Sequence, residues 1–88
     1  MVKRKKDAAM VGEMLREVAR KQVSDATPAE AKRTYDRLLK LGYSDAEAIE
    51  FIASVLANEM FEIMKYERKH EEERYDAALR ALPTLPWE

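Results

Sequence analysis

The sequence predicts an all-α domain, a small three- to four-helix bundle with a long central third helix and an extended C-terminal tail. Three observations carry that expectation. Two helix-start signals, Thr27-Pro28-Ala29-Glu30 and Ser44-Asp45-Ala46-Glu47, flank the stop Leu41-Gly42-Tyr43, which together spell a helical hairpin with a tight turn. Apolar residues recur at three- and four-residue spacing along most of the chain. The 88 residues include only two glycines and three prolines, and Ala, Glu, Lys, Leu and Arg dominate, a composition that favours helices over sheets.

The first helix reads from Asp7, a capping residue, to Val23. Ala8, Val11, Met14, Leu15, Val18 and Ala19 form its apolar stripe and leave Glu13, Glu17, Arg20 and Lys21 toward water. The polar Ser24-Asp25-Ala26-Thr27 is a short connection of the kind that joins antiparallel helices. The second helix, Pro28 to Leu41, has a stripe of Ala31, Tyr35, Leu38, Leu39 and Leu41, with Tyr43 placed to cover its last turn. The third begins after Ser44. Its stripe of Ile49, Ile52, Ala53, Leu56, Met60, Ile63 and Met64 is widened by Ala48, Phe51 and Val55, broader than one neighbour requires, so this helix is expected to touch several elements.

From Glu67 to Arg74 no residue is apolar, and the stripe that resumes at Tyr75, Ala78, Leu79 and Leu82 is rotated from the previous one. That places a break near Lys69 and a fourth helix from Glu71 to Leu82, stopped by Pro83. The tail, residues 83–88, offers Leu85 and Trp87 to lie across the bundle.

Eighty-eight residues make one domain, 1–88, with residues 1–6 read as a mobile basic start. A domain this small leaves much of its surface in water, so burial through a partner, above all a second copy, would add stability. The chain is 38% charged and 47% hydrophobic, too apolar for disorder. It has no cysteine, which excludes disulfides, thiolate metal sites and cysteine nucleophiles. Lys3-Arg4-Lys5-Lys6 is followed by Asp7, Glu13, Arg16 and Glu17 instead of the apolar core of a signal peptide. The most apolar stretch, Ala48 to Met64, is interrupted by Glu50, Glu59 and Glu62, short of the roughly 18 apolar residues of a spanning helix. A cytoplasmic location without membrane contact is the expectation. Charge is uneven: residues 1–43 carry +5, residues 44–64 carry -5 without a single base, and residues 65–88 carry -1. Attraction between an acidic third helix and the basic first half favours packing them together.

Few residues suggest chemistry. Glu67-Arg68-Lys69-His70 has the Glu-x-x-His spacing that offers a carboxylate and an imidazole from one helix face to a metal, with Glu59 as a further ligand. The chain has one histidine, and the motif sits in its most polar run, where solvated charge is the ordinary explanation. No cofactor is expected. Glu59 follows the apolar stripe instead of facing water and is read as structural, paired with a base such as Arg33 or Arg37. No nucleophile, general base or triad can be assembled. A DNA-reading helix-turn-helix would put the third helix in the major groove, but its -5 charge opposes phosphates, so no nucleic-acid partner is expected. Met10, Met14, Met60 and Met64 read first as core and second as an adaptable partner surface. Trp87 is either a lid or an anchor for another chain, with the lid favoured. Phe51, Met60, Met64 and Trp87 are the candidate interaction residues.

Leu41-Gly42-Tyr43-Ser44-Asp45-Ala46-Glu47-Ala48-Ile49, with Asn58 downstream, resembles the loop and second helix of ubiquitin-associated domains; those break before a third helix, whereas Ser54 to Met64 offers no breaker. A longer similarity, over residues 14–83, rests on Gln22, Pro28-Ala29-Glu30, Arg37-Leu38-Leu39, Gly42-Tyr43-Ser44, Glu47-Ala48-Ile49, Ile52-Ala53, Glu59, Tyr75 and Leu82-Pro83. That order resembles a bacterial family of small all-helical proteins of unknown function. The resemblance implies a helical fold and a bacterial cytosol, and no activity. Members with histidines where this chain has Gly12, Arg16 and Glu50 would have metal chemistry that does not carry over. The functional expectation is a helical protein-interaction domain that forms a homodimer; a carboxylate and histidine metal site is the alternative.

Overall fold

The computed structural model describes the backbone of residues 2–67 and 70–88 and the side chains of residues 12–67 and 70–88. They form α1 (Val2–Asp25), α2 (Ala29–Lys40), α3 (Asp45–Tyr66) and α4 (Glu72–Ala81), with no strand among the described residues. α1 extends past the expected Asp7–Val23 span at both ends, so Asp7 lies within helical backbone. The side chains of Lys3 to Lys6, Ala8, Met10 and Val11 lie outside the described residues.

The central hairpin forms as its residues dictate. Gly42 takes φ 103°, and the amides of Gly42 and Tyr43 donate to the carbonyls of Leu39 and Leu38, closing α2 in a Schellman motif. Two residues later Ser44 opens α3 with a complete capping box. The Glu47 amide donates to Ser44 Oγ and the Ser44 amide to Glu47 Oε1. Asp45, in the first turn, accepts from the Arg20 guanidinium at 2.7 and 3.2 Å and from the Tyr35 hydroxyl at 2.7 Å. The hydrogen bonds from Arg20 and then Tyr35 hold its carboxyl below the usual range.

The other expected start forms differently. Pro28, at ψ 154°, is extended and precedes α2 instead of occupying its first turn, and the Thr27 hydroxyl donates backward to the Asp25 carbonyl. α1 ends without glycine: Ala26 takes φ 52°, with the Ala26 and Thr27 amides donating to Val23 and Gln22. A left-handed alanine costs about 1 kcal/mol, which the two closing hydrogen bonds offset.

α3 packs against α1, α2 and α4, as its wide stripe requires, and α1 and α4 flank the α2–α3 pair. Its buried face is Ala48, Ile49, Ile52, Ala53, Val55 and Glu59. Ala19 and Val23 of α1, Ala31 and Leu38 of α2, Tyr75 and Leu79 of α4, and Leu82 complete the core. The opposite charges meet as expected, with Arg16 Nε 3.0 Å from Glu50 as well as Arg20 on Asp45. Exposed pairs of this kind set register more than stability.

Six apolar positions depart from the expected stripes, Met60 and Met64 near the end of α3 among them. Met14 and Val18 of α1 are 66% and 45% exposed, because its inner face is centred on Leu15, Ala19 and Val23 at four-residue steps. Leu39 and Leu41 are exposed as well, Leu41 because it lies beyond the last turn of α2. Lys69 lies outside the described residues, but helix stops on one side of it at Tyr66, with Glu67 left-handed at φ 53°, and resumes on the other at Glu72. The tail is turned instead of extended: the Glu88 amide donates to the Leu85 carbonyl, and the Leu85 amide to Glu88 Oε1.

Candidate functional site

Two arrangements stand out, a polar knot inside the α3–α4 interface and an apolar surface at the end of α3. The knot is built on Glu59, on the buried face of α3 and 5% exposed. Arg74, one turn into α4, grips it with both edges of its fork, Nε to Oε1 at 3.1 Å and Nη2 to Oε2 at 2.7 Å. His70 Nδ1 lies 3.1 Å from Oε2, a hydrogen bond that requires the proton on Nδ1. Burial pushes the Glu59 carboxyl up, but the hydrogen bonds and charges of Arg74 and His70 outweigh it and hold the group below its usual range. The expected partners Arg33 and Arg37 are elsewhere. Arg33 lies 3.6 Å from Glu30 on its own helix. Arg37 donates to the carbonyls of Leu82 at 2.7 Å and of Leu79 and Arg80 at 3.2 Å, closing the C-terminal end of α4.

Beside the knot Tyr75, 3% exposed, donates its hydroxyl to Gln22 Oε1 at 2.6 Å and so ties α4 to α1. Burial pushes the Tyr75 phenol up to about 12, helped by the charges of Asp76 and Glu59. The folded state therefore holds a proton that the unfolded chain releases near pH 10. Stability from this group is fully present below pH 10 and is lost as pH rises toward about 12. Urea titrations at rising alkaline pH are expected to show that loss, and Tyr75→Phe to reduce it.

Chemically the knot is a tie. Its carboxylate is held ionised by two donors, which weakens it as a base, and its tyrosine is kept protonated. The Glu67-to-His70 spacing no longer describes one helix face, since α3 ends before Glu67 and α4 starts after His70. Glu67 is a left-handed cap, while His70 turns to Glu59. Among the described residues no group of three His, Asp or Glu is placed to hold a metal ion. No described helix is long and apolar enough to cross a membrane.

The second arrangement is apolar. Met60, Phe61, Met64 and Tyr66 on the last turns of α3 are 46%, 52%, 77% and 52% exposed, and Trp87 is 61% exposed. Met14, Met60 and Met64 thus lie outside the core that their spacing suggested. Trp87 does not close over the bundle as a lid; Leu85 is the tail residue packed on the core. Trp87 instead forms one wall of a groove of about 480 Å³ between α3 and α4, shared with Val55, Phe61, Ala78 and Pro86. Phe51 lies apart from this surface. It is half-buried, edge-on to Tyr43 at 5.2 Å between ring centroids, and lines a smaller groove with Leu85. Phe61 and Tyr66, not among the expected interaction residues, join this surface, and their position in the chain beside Met60 and Met64 marks the same end of the helix.

Comparison with known proteins finds no matching family model, no similar curated protein and no similar solved structure.

Proposed function

We propose that the chain is a cytoplasmic helical interaction domain that associates with itself. One observation carries the reading: of the nine large apolar side chains exposed among the described residues, five lie on the last turns of α3 and at Trp87, the rest being Met14 and Val18 of α1 and Leu39 and Leu41 at the end of α2. A small domain gains most by covering such a surface. The order of residues resembling a bacterial helical family bears on the cytosolic location and not on self-association. Size-exclusion chromatography with light scattering tests the proposal. The expected mass is that of two chains at micromolar concentrations, and a strict monomer throughout that range refutes it.

A further inference from the structure

The proposed self-association leaves open which face is used, and the end of α3 supplies an answer. Lys65 Nζ lies 5.2 Å from the Phe61 ring centroid and 5.4 Å from that of Tyr66, so the two rings and the lysine stem form one continuous patch. Met64 adjoins Phe61 three residues on, and Trp87 shares the groove of Phe61, whereas Met60 lines a separate groove with Pro28 and Tyr75. Taking about 200 Å² for a side chain of this size, Phe61, Met64, Tyr66 and Trp87 leave on the order of 500 Å² in water. That is the upper end for a monomer and most of the roughly 800 Å² that each partner buries in a standard interface.

Resting on the reading above, we infer that a second copy covers this patch about a two-fold axis, with Trp87 of each chain seated in the α3–α4 groove of the other. A two-fold interface requires a knob and a hole on the same surface. Trp87, mostly exposed, is the knob. The groove, about 480 Å³, exceeds by about threefold the roughly 150 Å³ cavity that accepts a benzene ring, so it has room for an indole. The charges also suit a copy of the same chain. Glu62 and Arg74, an acid and a base, line the groove together. A rim of mixed sign permits opposite charges to meet across the axis, where a rim of one sign would repel its own copy.

The chain has one tryptophan, which reports on the contact directly. In a dilution series of the full chain, Trp87 emission is expected to shift to the blue and become resistant to acrylamide quenching, at the same midpoint at which sedimentation shows dimer formation. Trp87→Ala is expected to weaken the dimer at least about tenfold, as a central aromatic anchor does, with helical circular dichroism unchanged because Trp87 follows the last helix. A dimer whose tryptophan emission stays that of an exposed indole, and which Trp87→Ala leaves intact, overturns this inference while self-association stands. A chain that never dimerises overturns both.

Discussion

Ile52→Ala is expected to remove about 2–5 kcal/mol of stability, the cost of deleting a buried branched side chain and leaving its cavity partly unfilled. Ile52 is 0% exposed on α3, the helix that packs against α1, α2 and α4, so little of its surroundings is free to collapse into the space. A domain of this size holds about 4–13 kcal/mol in total, which makes the loss a large fraction of the whole. Met64→Ala is the matched comparison. Met64 lies on the same helix but is 77% exposed, and at dilutions where the chain is monomeric its removal is expected to change stability by less than about 0.5 kcal/mol. Urea unfolding followed by circular dichroism measures both. Equal effects would mean that α3 is not the interior rod around which the domain is built.

The second large effect is at Glu59. Glu59→Gln keeps the shape and removes the charge that Arg74 and His70 satisfy, and is expected to cost about 1–3 kcal/mol at neutral pH, the range for hydrogen bonds to a charged group. The pH dependence separates this from a packing defect. The folded carboxyl titrates below its unfolded value of 4.5, so the unfolded chain binds the proton first as pH falls. The contribution is therefore complete above pH 4.5 and disappears as pH drops through the lower folded value. The gap between the native chain and Glu59→Gln is expected to narrow as pH falls below 4.5. A gap that stays constant into the acid range would assign the effect to shape alone.

What was legible in the sequence was local. The Ser44 capping box and the Gly42 stop depend on residues within a few positions of one another, and both formed as written. The wide stripe of α3 revealed its several neighbours because a broad apolar face has no other use in water. Thr27-Pro28 misled because the same four residues allow the chain to enter α2 from an extended proline, with the Thr27 hydroxyl turned back to Asp25. Periodicity located the inner face of α1 only coarsely: Met14 and Val18 are within one helical step of Leu15 and Ala19, yet fall outside the contact. Glu59 was recognisable as a buried acid, whereas its partners 11 and 15 residues away depended on how the chain turns after α3. Periodicity also shows where an apolar face begins but not where its neighbours end, which is why Met60 and Met64 read as core.

The guanidinium of Arg37 bears on how the chain is made. Its carbonyl partners lie 42 to 45 residues downstream, and the hydroxyl of Thr34 likewise lies 3.3 Å from the Leu79 carbonyl. During synthesis the first three helices are polymerised before any of these acceptors exists, with Glu59 and Gln22 also waiting for residues of α4. The nascent chain can assemble its hairpin early, but it is the emergence of the final twenty or so residues that converts a loose helical trio into a closed molecule.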